Sequence, residues 1–306
     1  MSPTPGSPNG GRSSLPLALL AVVVLIWASN SIVTKLALRE TTPALLAVVR
    51  FSLATTCFHL PLFLAMRRLG PQLEPWEWLR LGAVGVLGQA SSTLLFTIGI
   101  SMTTATFAGL MLMTGPLWTA LLAWLVLGEG LGRARAVGMC VAFAGAGVLA
   151  TGGRLDAIDP PVMLGSAYLM AAQLAWGGYT LMAKPLLARH PPLLVVAAAN
   201  VFAMLALWPS TALLGAWTDL PRVVDWPAST WLAVLYLVIF TGAGSQVLYI
   251  YALRDVSASQ AISFMYLQPI FTVALAAVVL AERPTLLTLY CGALILFGLW
   301  LVNRPR

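Results

Sequence analysis

The sequence predicts an all-α integral membrane protein whose ten transmembrane helices form two inverted-topology five-helix repeats around a central cavity. Three observations carry that expectation. The composition is 59% apolar and only 9% charged over 306 residues, ten apolar runs reach spanning length, and the first half of the chain is echoed in the second. A soluble domain carries roughly 25% charged residues, so water is not the main solvent here, and the mean hydropathy of +0.89 agrees. Nothing is left over for a soluble catalytic domain.

A helix crosses a bilayer core with about 20 predominantly apolar residues. Such runs lie at 15–38, 43–66, 77–99, 103–127, 134–152, 161–183, 191–214, 229–252, 257–281 and 285–302, separated by short polar or proline-bearing breaks. Residues 1–14 are rich in Ser, Pro and Gly. That composition offers too little apolar surface to offset the entropy of ordering, and a disordered cytoplasmic tail is expected.

The net charge of +7 does not suggest a nucleic-acid partner, because the basic residues are spread thinly over many loops. With the amino terminus inside, one side of the bilayer holds ten of them: Arg12, Arg67, Arg68, Arg80, Arg133, Arg135, Arg189, Arg254, Arg304 and Arg306. The other side holds Arg39, Arg154, Arg222 and Arg283. Basic residues concentrate on the cytoplasmic side of membrane proteins, which places both termini there. Cys57, Cys140 and Cys291 fall within apolar runs, where a small apolar side chain is their simplest role and no disulfide framework is suggested.

The echo is specific. WASNSIVTK, from Trp27 to Lys35, is answered by WGGYTLMAK, from Trp176 to Lys184, at an offset of 149. Ala105, Pro116, Glu129 and Gly145 recur as Ala258, Pro269, Glu282 and Gly298 at an offset of 153. Two units follow, 15–152 and 161–302. Because each holds an odd number of spans, the second must enter the membrane from the opposite side. Inverted repeats suit carriers, since two conformations related by pseudo-symmetry expose one midplane site to either face in turn.

Within the spans a few residues invite a chemical reading. The only two lysines, Lys35 and Lys184, occupy equivalent positions in the two halves. Each either serves a gate or site of changing hydration or snorkels from a helix end to the headgroups. Arg50 lies well inside the second run, where an isolated charge costs at least ~2.5 kcal/mol, so it is expected to face the bundle or water. No Asp or Glu lies comparably deep, which favours a substrate with an anionic or zwitterionic group over a cation.

Pro116 and Pro269 fall in mid-span, and each strips the carbonyl four residues earlier, on Leu112 and Met265, of its helical donor. Such carbonyls either line a cavity or are satisfied by neighbours, and a plain kink with ordinary packing is the competing reading. Met113, Tyr266 and Gln268 stand beside them. Trp27, Asn30, Trp176 and Tyr179 in runs one and six, with Gln89, Gln246 and Tyr249 in runs three and eight, complete the set expected to line the substrate pathway. Runs five and ten are small and apolar, fitting peripheral scaffold or a homodimer face. Glu129 and Glu282 are expected to be structural turn residues that favour the start of a following helix.

Catalytic and metal signatures are missing. His59 and His190 stand alone, no Ser has a base at motif spacing, and no glycine-rich phosphate loop occurs. Neither an enzyme nor a cofactor is expected, and a membrane-embedded lipid-modifying enzyme would need an interfacial cluster of His, Asp or Glu.

On the Trp27–Lys35 stretch with its echo at Trp176–Lys184, and on the proline-bearing stretches ending in Leu127-Gly128-Glu129 and Leu280-Ala281-Glu282, the chain resembles EamA-type transporters of the drug/metabolite transporter superfamily. The resemblance covers nearly the full length. It implies a cavity lined by helices one to four and six to nine, and export of amino acids or similar metabolites across a bacterial inner membrane. A multidrug or other-metabolite carrier is the alternative within the family, though small multidrug-resistance relatives rely on a membrane-embedded Glu that this chain lacks at depth.

Overall fold

A computed structural model of the chain describes residues 15–69, 73–130, 132–153, 159–252 and 264–303, and the regular structure among them is helical throughout. The tail 1–14, the loop after run eight and the start of run nine, 257–263, lie outside the described residues. Among the described residues eight helices are long and apolar enough to cross a membrane: α1 (Leu15–Ala37), α2 (Pro43–Arg68), α3 (Pro75–Ser101), α4 (Ala105–Leu127), α5 (Arg133–Thr151), α7 (Pro192–Leu213), α8 (Ala228–Tyr249) and α10 (Leu286–Asn303). Helix α6 (Pro160–Leu187) is longer still but less apolar, with Gln173, Gly177, Gly178 and Tyr179 near its middle. A shorter apolar helix, α9 (Gln268–Val279), completes the set. A 3₁₀ stretch, Ala216–Asp225, joins α7 to α8.

Local chemistry sets the helix ends. Thr42 caps α2, its Oγ1 accepting from the Leu45 amide with Pro43 in the first turn, and Thr104 caps α4 by accepting from the Phe107 amide. Both satisfy donors that a helix start leaves orphaned. Helix α4 ends at Gly128 with φ +67°, the left-handed conformation that glycine adopts without penalty.

The proline breaks have the same geometry in both halves. Before Pro116 the Thr114 amide donates to the Met111 carbonyl at 3.0 Å, and the Trp118 amide to the Thr114 carbonyl at 3.1 Å. At an offset of 153, Leu267 donates to Phe264 at 3.0 Å and Phe271 to Leu267 at 3.0 Å. The first bond of each set is a tightened i to i+3 turn, the local remedy for a missing proline N–H. The correspondence reaches the helix ends, where Glu129 donates to Ala123 at 3.3 Å and Glu282 to Ala276 at 3.2 Å. Ala281, the equivalent of Gly128, is accordingly driven to φ +54°. Helices α3 and α8 widen into π-helix at equivalent places, Val84–Ala90 and Leu237–Gly244. π-Bulges often mark functional sites.

The two halves interlock. Helix α1 packs on α8 and α9, while α6, its counterpart, packs on α3 and α4. Equivalent helices also meet directly, α2 with α7 and, most extensively, α5 with α10. A Cβ built on Gly138 would sit 2.6 Å from the Gly298 carbonyl oxygen, and one on Gly145 would sit 3.2 Å from that of Cys291. As residue numbers rise on α5 they fall on α10, so this pair crosses antiparallel. Small residues let the two backbones touch, which is how helices associate in lipid where no hydrophobic drive separates protein from solvent. The apolar runs five and ten are therefore partners of each other.

Two substitutions test this account. Gly138→Leu forces α5 off the α10 backbone and is expected to destabilise the fold by about 1–3 kcal/mol, seen as a lower thermal midpoint in detergent. Ala281→Gly relieves about 1–2 kcal/mol of left-handed strain against about 0.4–1 kcal/mol of added freedom in the unfolded chain, so the same assay should register a small gain.

Candidate functional site

The breaks in the helices converge on one cavity of about 760 Å³, within the range of small-molecule sites. Helix α4 lines it from Leu112 onward, through Met113, Pro116 and Thr119 to Trp124, and the turn after it adds Glu129 and Gly130. Leu112 and Met265, whose carbonyls lose their donors to Pro116 and Pro269, both face this space. The π-helical stretches contribute Gln89 from α3 and Thr241 from α8. Helix α6 supplies Gln173, Trp176 and Thr180, one face of a helix at a spacing of three and four.

Arg50 reaches the wall from α2. Its Nη1 is buried without a hydrogen-bond partner, and no acid pairs with it among the described residues. Toward the mouth stand Arg135, Lys184 and Glu129, the last two joined at 3.4 Å while 61% and 49% exposed. An ion pair so exposed contributes little. Three basic groups against one acid give the cavity a positive field, and in a low-dielectric wall such a field concentrates anions.

The cavity opens at the end of the bundle that carries the α4–α5 turn and the carboxyl end of α6. At the opposite end α1, α3, α4 and α9 close over it. Ile32, Ala105 and Ala276 are buried there with Leu36, Leu275 and Leu280 packed against them. The carboxylate of Glu282 accepts from the Ala105 amide at 2.7 Å and the Thr106 amide at 2.9 Å, satisfying orphan donors at the start of α4. The Lys35 ammonium donates to the Ile100 carbonyl at 2.9 Å, to that of Ser101 at 3.3 Å and to that of Thr103, at the end of α3.

Of the residues singled out from sequence, Trp27, Asn30, Arg50, Gln89, Met113, Pro116, Trp176, Lys184, Tyr266 and Gln268 line the cavity. Four sit elsewhere. Lys35, five residues beyond Asn30 on α1, is spent on carbonyls at the end of α3 and in the turn after it. Tyr179 stacks behind Trp176, their rings 5.0 Å apart and 12° from parallel, because Gly88 of α3 occupies its other side. Tyr249 packs against Trp27 at 5.3 Å, and Pro269 is buried in its own helix start. The side chain of Gln246 lies outside the described residues.

Sequence reasoning passed over Thr93, Thr119, Thr241, Arg135 and Glu129 as cavity residues. The helical spacing of Trp176 and Thr180, with Gln173 nearby, is legible in the sequence and matches their shared place on the cavity wall. Arg135 gave no such signal, since it stands at the very start of run five, in the first turn of α5. His190 has a structural partner, its Nε2 lying 2.8 Å from buried Glu77 Oε1 with Arg189 at 3.1 Å from the same oxygen, and no metal-ligating cluster occurs among the described residues.

Comparison with known proteins agrees with the double architecture. The EamA-like transporter family matches residues 14–151 and again residues 163–304. A protein of Archaeoglobus fulgidus named only as a transporter is 29% identical over 292 residues, spanning 94% of this chain and 97% of its own. A protein of Streptantibioticus cattleyicolor named "Probable terminal-alkyne amino-acid exporter" is 29% identical over 290 residues, 93% of this chain and 92% of its own. A crystal structure at 22% identity superposes with a TM-score of 0.57 over 96% of this chain and 97% of that one, a likeness of fold. With one family match in each half of a helical, bilayer-spanning chain, the protein belongs to the EamA-like transporter family.

Proposed function

We propose that this transporter exports amino acids or similar small metabolites by alternating access between two inverted five-helix repeats. The observation that carries the reading is Arg50, a guanidinium with an unpartnered buried nitrogen in the wall of a one-ended cavity. A buried donor without an acceptor is costly, and a guanidinium fork matches a carboxylate in two parallel bonds. The substrate carboxylate is the acceptor the site is missing. Carbonyls at Leu112 and Met265 and the side chain of Gln268 offer acceptors suited to an ammonium, and Trp27, Trp176 and Met113 offer apolar surface to a side chain.

The antiparallel crossing of α5 with its equivalent α10 supports the inverted arrangement, since equivalent helices in parallel repeats would run the same way. The excess of basic residues on one side supports both termini in the cytoplasm of a bacterial inner membrane. In that orientation the cavity faces the cytoplasm, the loading state of an exporter. The amino-acid exporter named among the relatives supports the substrate class. The chain acts as a carrier and not as an enzyme.

In proteoliposomes, saturable flux is expected for members of an amino-acid panel and not for the corresponding decarboxylated amines. Arg50→Ala should lower flux at subsaturating substrate about tenfold or more, the effect of one charged hydrogen bond, and Arg50→Lys should restore only part of it. A panel that shows no saturable flux, or an Arg50→Ala variant transporting as the parent does, would overturn the reading. Comparing flux with and without a proton gradient reads the energy coupling in the same vesicles.

A further inference from the structure

The two lysines and the two glutamates of the repeats form equivalent pairs, and they are in opposite states. Lys35 of the first repeat and Glu282 of the second line one small pocket. Lys184 of the second lies beside Glu129 of the first. At the closed end both members are fully engaged, Glu282 by two amides of α4 and Lys35 by three carbonyls of α3 and the turn after it. At the open end, among the described residues, the equivalent pair is joined by a 3.4 Å contact between side chains 61% and 49% exposed.

We infer that these pairs are reciprocal latches between the repeats, Lys35 with Glu282 fastening the sealed end in the state seen here while Lys184 with Glu129 stands released at the cavity mouth. The physical basis is the helix end. A broken bundle exposes orphan amides at the start of α4 and orphan carbonyls at the end of α3, and charged side chains are the strongest partners for both. Each Glu comes from the other repeat, so a latch holds only while the repeats meet at that end. Opening the sealed end must withdraw Glu282 from the Ala105 and Thr106 amides, and the apolar plug of Ile32, Ala105 and Ala276 parts with it. The lone retention of lysine at 35 and 184 in an otherwise Arg-only chain fits this role, since a compact ammonium on a flexible stem can satisfy several converging carbonyls and let go.

The inference rests on the carrier reading for its purpose, but its test needs no substrate. Thr34, fully buried beside Lys35, is changed to cysteine, and its labelling by a membrane-impermeant thiol reagent is followed by peptide mass spectrometry on protein in lipid nanodiscs. Glu282→Gln and Lys35→Gln should each speed labelling at position 34 about tenfold or more, the fold-change that one charged hydrogen bond carries, while Glu129→Gln should not speed it. Should Thr34→Cys fail to fold, Ser31→Cys, also buried, serves as reporter. Labelling at the parental rate in a folded Glu282→Gln protein overturns the latch, as does equal acceleration by Glu129→Gln. If no substrate moves in the flux assay yet labelling responds as expected, the carrier reading falls and the latch stands.

Discussion

In hydrocarbon a backbone N–H or C=O without a partner costs several kcal/mol, and that constraint organises this molecule. A chain that obeyed it in the simplest way would be a bundle of unbroken apolar helices with nothing inside. Here α4 is interrupted ahead of Pro116 and a second break precedes Pro269, so orphan backbone groups exist at membrane depth and must be accommodated. They are accommodated in two ways. In mid-membrane the residues bearing freed carbonyls face the cavity, and at the closed end the orphan groups of α3 and α4 are met by Lys35 and Glu282.

The same constraint explains where polarity is found. Helices α5 and α10 meet through Gly138, Gly145 and Gly298 and need few polar groups, because close backbone contact alone holds them. Helix α6, central and surrounded by protein on several sides, tolerates Gln173 and Tyr179 and is less apolar than its neighbours. The π-helical widenings of α3 and α8 re-aim Gln89 and Thr241 toward the cavity without breaking either helix. Arg50 is the exception: its guanidinium lies deep in the bundle, and among the described residues its buried Nη1 has no hydrogen-bond partner.

Duplication left its mark at the level of single hydrogen bonds. The turn before each proline, the bond closing each helix and the left-handed residue at each end recur at one offset, even where Ala281 has replaced a glycine and must adopt a conformation it dislikes. What duplication did not preserve is the state of the two ends. One Lys–Glu pair is half-buried against helix ends, while the other is 61% and 49% exposed beside the cavity.

The sequence by itself determined the class of solvent, the helical membrane-spanning architecture and the duplication, and it flagged ten of the residues that line the cavity, because hydropathy, proline position and repeat offsets are local properties that lipid enforces strongly. It also flagged Lys35 and Lys184 as a pair, without separating a gate from a snorkelling anchor. Only the tertiary structure decided that Lys35 turns away from the cavity while Lys184 lines it, that Glu282 caps a helix of the other repeat, and that Arg135 reaches the mouth. Those outcomes depend on how helices distant in sequence pack against one another, and hydropathy, proline position and repeat offsets, being local, do not carry that.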